Sequence, residues 1–298
     1  MAIRNRVNAA AGNAASAPAQ GGRRPKLGQN FLADRGAAEK IVSALGQVLH
    51  TTVVEIGPGK GVLTSLLAAR AQRLIAIELD RVLAAQLRLR FGARPNVEII
   101  EGDILKIDLD TLLGPRPGAL AGLAASPAAP TQVIGNIPYY ITSDILLRMF
   151  EYHYLFQSMV IMVQKEVAER IAAKPGGKEY GLLSATSQLY AKVEKLFTLP
   201  PGAFAPPPKV QSTVLRLAMA PQFDKLGVTA GEFIDFLKLS FAQKRKTLVN
   251  NLKPRYAAEQ VTAALKKSGV RTDARAETLS LEKAAAVFRT LQALGVRS

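Results

Sequence analysis

Cysteine and tryptophan are absent from the 298 residues, and histidine occurs only as His50 and His153. Without thiols there are no disulfides, thiolate nucleophiles or cysteine metal ligands, and two histidines are too few for an ordinary structural zinc site. No apolar run reaches the ~18 residues needed to span a bilayer, and the N-terminus has no hydrophobic leader core. Chemistry is thereby confined to amides, carboxylates, aromatic rings and backbone groups, in a protein expected to be cytoplasmic and metal-free. Acidic residues are also scarce: 23 Asp and Glu face 39 Lys and Arg, a net charge of +16. Such an excess suits a polyanionic partner, either nucleic acid or an anionic surface.

What is present organises itself along the chain. Residues 1–25 hold little that can anchor a core and read as a disordered tail ending in the basic cluster Arg23, Arg24, Lys26. From Ala37, helical spacing of apolar residues alternates with the β-branched runs "TVVEIG", "RLIAIEL" and "NVEII", then resumes at Gln132 and "SMVIMVQ". Alternation at this pace predicts an α/β fold with a parallel, doubly wound sheet, and "VEKLFTL" with "STVLRLA" adds an antiparallel pair at one edge. Residues 114–130, rich in Pro, Ala and Gly, read as a flexible insertion. After about Pro221 the pattern is purely helical, so the chain divides into a unit over residues 26–219 and a helical one over residues 220–298.

Three features fall at the ends of successive strands. "EIGPGKG" sets Gly57, Gly59 and Gly61 between a strand and a helix, where backbone N–H groups can meet a ligand. Taken alone it is also consistent with a bare turn, and its G-x-G-x-G spacing departs from the dinucleotide fingerprint G-x-G-x-x-G. Glu78, 21 residues beyond Gly57, is placed to accept from both ribose hydroxyls, or else is a surface carboxylate. Asp103 in "EGDIL" is placed to accept from an adenine amino group, or else caps the turn that follows. Together they indicate an adenosine-containing cofactor in one crevice.

The stretch "VIGNIPYYITSD" decides between hydride and methyl transfer. Pro138 removes a donor and holds Ile137 extended, so the Asn136 amide oxygen and the Ile137 carbonyl face one point. Two acceptors there hold an exocyclic amino group with its lone pair directed at an electrophile, while Tyr139 stacks on the flat ring. Amino-group methylation of adenine needs that arrangement. A strand-ending turn with Asn as helix cap is the plainer alternative. Tyr140 is expected to pack, and Thr142 and Ser143 to cap the helix near Asp144.

"GQNFL", "VEIGPGKG", "IAIELD", "EGDIL", "GNIPYYITS" and "FAPPPKVQSTV", in this order, resemble the KsgA family of S-adenosylmethionine-dependent rRNA adenine dimethyltransferases. The resemblance implies a Rossmann-like class I methyltransferase fold, a mostly parallel seven-stranded sheet with a small all-helical C-terminal domain. It implies that Asn30, Leu32, Gly57, Gly59, Glu78, Asp103 and Asn136 bind S-adenosyl-L-methionine, and S-adenosyl-L-homocysteine after transfer. Catalysis is assigned to Asn136, Ile137, Pro138, Tyr139 and Phe204. Prolines 206–208 are expected to hold Phe204 beside the crevice in extended polyproline form, opposite Tyr139 across the target base. Lys244, Arg245 and Lys246, expected to begin a helix, would contact RNA phosphates with Lys26 and Lys209.

The expected reaction is N6,N6-dimethylation of two adjacent adenosines in the 3′-terminal hairpin of 16S rRNA, within the immature small ribosomal subunit. A role in subunit biogenesis and a monomeric state accompany it. Rival readings are a large-subunit rRNA methyltransferase of the macrolide-resistance type, a DNA adenine methyltransferase and a mainly non-catalytic ribosome assembly factor. A dehydrogenase is disfavoured for want of a placed histidine.

Overall fold

The computed structural model describes residues 30–114 and 131–295. The expected tail, with Arg23, Arg24 and Lys26, and all but the first residue of the expected insertion lie outside the described residues.

Nine strands form among the described residues: β1 (Phe31–Leu32), β2 (Thr52–Ile56), β3 (Arg73–Glu78), β4 (Val97–Glu101), β5 (Thr131–Asn136), β6 (Phe156–Gln164), β7 (Ala191–Leu199), β8 (Phe204–Ala205) and β9 (Ser212–Met219). Seven of them make one sheet in the order β4-β3-β2-β5-β6-β9-β7. The first five run parallel, and β9 and β7 close one edge antiparallel.

Alternation along the central strands explains why both faces are covered. Val53, Leu74, Ile134 and Val160 point to one face, where α1 (Arg35–Ser43), α2 (Val62–Leu67) and α3 (Arg81–Phe91) bury Ile41, Leu67 and Phe91 against them. Val54, Ile75, Val133 and Ile161 point to the other. There they meet Leu146 of α5 (Thr142–Glu151), Ile171 of α6 (Lys165–Ile171) and Leu189 of α7 (Leu182–Tyr190), with α4 (Leu109–Leu113) alongside. Strands buried on both faces need apolar residues at successive positions, hence their runs of Val and Ile.

Every described element after β9 is helical: α8 (Phe223–Leu226), α9 (Ala230–Ser240), α10 (Leu248–Leu252), α11 (Ala258–Lys267) and α12 (Leu281–Ala293), with a single 3-10 turn between the last two. Their apolar residues Phe233, Phe236, Leu252 and Phe288 belong to the same continuous core as Ile161 and Leu215 of the sheet. Aromatic rings mark the junction. Tyr190 stacks on Phe150 at 4.9 Å and meets Phe223 edge-on at 5.1 Å.

Three local expectations are corrected. No helix begins at Lys244, because Thr247 is the N-cap and α10 starts at Leu248. Asn251 of α10 donates through Nδ2 to the carbonyls of Ser240 and Gln243, at 2.7 and 3.1 Å, and so holds residues 241–247 as a turn. α5 starts at Thr142 itself, whose hydroxyl donates back to the Pro138 carbonyl at 3.2 Å instead of capping from outside. The run before β9 is no continuous polyproline segment: Phe204 and Ala205 form β8, paired antiparallel with β1, and the chain bends at Pro206.

Candidate active site

Because β4, β3, β2 and β5 are parallel neighbours, their carboxyl ends open along one edge of the sheet. Chain order turns back between β2 and β5, leaving a crevice at that reversal, the usual ligand site of open α/β sheets. It is partly open to solvent and is lined by Gly57, Gly59, Glu78, Asp103 and Asn136 through Tyr140, among others.

The glycine loop is shaped by close approach. Gly59 has φ +57°, and a Cβ there would stand 2.8 Å from the Phe31 ring, so no side chain fits between loop and ring. Lys60 lies over the other part of this contact, its Nζ 4.9 Å from the Phe31 centroid. Gly135 lets β5 lie against β2, since a Cβ would meet the Ile56 carbonyl oxygen at 2.6 Å. Gly57 sits directly across from Asn136, whose carbonyl oxygen is 3.7 Å from where a Gly57 Cβ would be.

Two carboxyl groups brace this loop from below. Glu78, buried at the end of β3, accepts from the Gly59 and Asp80 backbone N–H groups, each at 2.9 Å. Burial pushes its pKa up, against the pull of those hydrogen bonds. Glu55, inside β2 and 1% exposed, accepts from the Thr64 hydroxyl at 2.7 Å. Desolvation, opposed by that hydrogen bond and reinforced by Glu78, raises its pKa to about 8. Asp103 lines the crevice and caps its own turn, accepting from the Leu105 N–H at 3.0 Å, as the capping alternative expected.

Asn136 ends β5 with its amide orientation fixed. Nδ2 donates to the Asn30 carbonyl at 2.9 Å, which leaves Oδ1 as the acceptor available to a ligand. The Ile137 N–H is tied to the Met162 carbonyl of β6 at 3.1 Å, so the backbone leaves the sheet only at the following proline. Tyr139 lines the crevice and its hydroxyl lies 2.7 Å from Ser212 Oγ. Tyr140 does not pack as expected: it is 61% exposed at the rim, beside Leu79.

Other anticipated residues fall elsewhere. Leu32 turns its side chain into the core, 6% exposed, and its neighbour Phe31 takes the place at the crevice. Phe204 is 3% exposed within that same core and is not a wall of the crevice, because pairing of β8 with β1 points its ring inward, opposite Leu32. Lys209 is exposed in the loop before β9. Near it Lys165, which the sequence reading passed over, donates to Gln211 Oε1 at 3.2 Å. Lys244 to Lys246 are exposed on the turn between α9 and α10, where Lys244 Nζ donates to the Lys178 carbonyl at 2.7 Å. Among the described residues no helix is long and apolar enough to cross a membrane, and no group of three or more His, Asp or Glu side chains is gathered for a metal.

Residues 22–293 match the family model described as "Ribosomal RNA adenine dimethylase". The chain belongs to the ribosomal RNA adenine dimethylase family. It is 58% identical over 270 residues to the Ribosomal RNA small subunit methyltransferase A of Koribacter versatilis, covering 91% of this chain and 95% of that protein. With the Acidobacterium capsulatum protein of the same name it shares 53% over 273 residues, 91% of this chain and 92% of the other. Among solved structures, a dimethyladenosine transferase from Plasmodium falciparum has the same fold, with TM-score 0.73 and 24% identity over 89% of this chain and 98% of that one. The 23S rRNA methyltransferase ErmE superposes with TM-score 0.64 and 26% identity, over 88% of this chain and all of that one (100%). The family thus matches the one its six motifs resemble, and the fold is Rossmann-like with a helical C-terminal region.

Proposed function

We propose that this family member transfers methyl groups from S-adenosylmethionine to N6 of two adjacent adenosines in the 3′-terminal hairpin of 16S rRNA, releasing S-adenosylhomocysteine. Asn136 carries the reading. Its amide is oriented by Asn30 so that an acceptor oxygen remains beside a glycine loop and a tyrosine.

The crevice fits the cofactor. Gly57 and Gly59 line the crevice without side chains that would fill it, Glu78 offers acceptors to ribose hydroxyls and Asp103 to an adenine amino group. Asn30 belongs to the same wall, and Leu32 has only its backbone to offer. S-adenosylmethionine supplies an electrophilic methyl group on a positively charged sulfur. The protein's own residues position the nucleophile: Asn136 Oδ1 and the Ile137 carbonyl accept the two N6 hydrogens, Pro138 holds the turn, and Tyr139 stacks on a base withdrawn from its helix. No strong general base is required, because the amine nitrogen becomes acidic once alkylated. Phe204 has no part in this reading.

Lys26, Lys209, Lys244, Arg245 and Lys246, joined by Lys165, are assigned to phosphate contacts, with residues 220–298 as the RNA-binding unit and residues 26–219 as the methyltransferase unit. The partner is the immature small ribosomal subunit in the cytoplasm, met by a monomer that also serves subunit biogenesis.

Radiolabelled methyl transfer to undermethylated small subunits tests the proposal, with mapping of the modified positions. Asn136→Ala is expected to lose about 10²–10³-fold in rate while keeping its melting temperature, the scale seen when one oriented polar group is removed from an active site. Undiminished transfer by the variant refutes the reading. Label appearing only on large subunits would move the substrate to that of ErmE.

A further inference from the structure

The crevice leaves one contact unexplained. Tyr139 belongs to a three-residue 3-10 turn, Tyr139–Ile141, just after Pro138, where the chain has left β5 and has not yet entered α5. Such a turn gives a ring at the crevice little support from its own backbone. The support comes from 73 residues away, where Ser212 Oγ meets the Tyr139 hydroxyl at 2.7 Å. Ser212 is 0% exposed and opens β9, paired with Gln164 of β6 on one side and Leu199 of β7 on the other. A hydroxyl on a strand held from both sides is about as fixed a point as the molecule has. The ring is therefore anchored twice, at Cβ by the turn and at its phenol oxygen by the sheet, and these two points, at opposite ends of the ring, fix its long axis and with it the ring's position and tilt in the crevice.

We infer that Ser212 is a positioning residue for methyl transfer, fixing the long axis along which Tyr139 meets the target base. The inference rests on Tyr139 being the stacking face. It assigns a task to Ser212 of "FAPPPKVQSTV" in place of Phe204: the segment carries Ser212 to its seat at the start of β9, next to the Lys165–Gln211 contact. Stacking energy alone tolerates a tilted ring. In-line attack does not, because a misplacement of about 1 Å can cost ~10²-fold in rate.

Steady-state transfer to undermethylated small subunits tests this, together with S-adenosylhomocysteine binding and melting temperature. Ser212→Ala and Tyr139→Phe each remove one side of the contact and keep the ring. Each is expected to lower kcat about 10-fold with KM for the subunit and cofactor affinity unchanged, and the double variant to be no slower than either single one. Multiplying losses, or wild-type kcat in Ser212→Ala, overturn the inference. Tyr139→Ala separates the two levels. If it is inactive while Tyr139→Phe and Ser212→Ala are fully active, only the positioning role of Ser212 falls. If Tyr139→Ala is itself fully active, the stacking role of Tyr139 falls with it.

Discussion

The two walls of the crevice are built differently. On the side proposed for the cofactor, each group sits at or just beyond a strand end and is braced by backbone two positions on, Glu78 by Asp80 and Asp103 by Leu105, with Gly59 of the neighbouring strand's loop, 19 positions away, as the most distant brace. On the substrate side, the braces come from far along the chain. Asn136 is held by Asn30 across 106 positions and Tyr139 by Ser212 across 73. A wall of local contacts forms whenever its strands do. A wall of distant contacts forms only when the N-terminal segment and β9 have both docked, so it is the part most easily mis-set without unfolding anything.

Substitutions on each wall break that comparison in opposite ways. The largest effect is the loss of transfer in Asn136→Ala, described above. Next is Glu78→Gln on the cofactor wall, which leaves one buried backbone N–H facing an amide donor and removes a charged acceptor. Its affinity for S-adenosylhomocysteine is expected to fall about 10–100-fold by calorimetry, the cost of losing charge-assisted hydrogen bonds. Unchanged affinity would detach Glu78 from the cofactor.

Glu55 gives a pH-dependent test on the same wall. Its folded pKa, about 8, lies above the ordinary glutamate value of 4.5, so the fold favours the protonated form. Stability from this group is complete below pH 4.5 and is lost as pH rises through 8. Glu55→Gln keeps the acceptor for Thr64 and removes the titration. The variant should melt about 5 °C above the parent at pH 8.5 and coincide with it at pH 4. A gap that persists at pH 4 would sink this account. The smallest effect belongs to the basic turn. Arg245→Ala should weaken binding to the small subunit a few-fold and reduce the slope of log affinity against log salt by about 1, with kcat intact. A salt slope identical to the parent's would take Arg245 off the phosphates.

How far each wall could be read from sequence follows from the same difference. The glycine loop, Glu78 and Asp103 were legible because each lies in or beside a β-branched run, and the strand alternation that fixes their common edge is itself a local pattern. The substrate wall was half legible. Asn136 and Tyr139 stood out as unusual residues ending a strand, yet their partners Asn30 and Ser212 carried no signal of contact. The inward turn of the Phe204 and Leu32 side chains was not legible, because a two-residue pairing of β8 with β1 produces it and nothing near either residue announces it. Phe31 was passed over between two chosen neighbours, although the glycine it covers was identified. The basic run 244–246 was read as helix from its helix-forming residues, whereas Thr247 and the doubly bonded Asn251 keep it a turn.

The unbroken core joining the sheet to the C-terminal helices has a consequence for how a target is chosen. Phe233 and Phe288 pack in the same interior as Ile161 and Leu215, so one packed interior runs from the helices flanking the turn at residues 241–247 to the sheet that carries Asn136. Under the proposed function such a body acts as a caliper: RNA held by its phosphates at that turn would be presented at the crevice across a span set in the hydrophobic interior, and selection would be a matter of length as much as of chemistry.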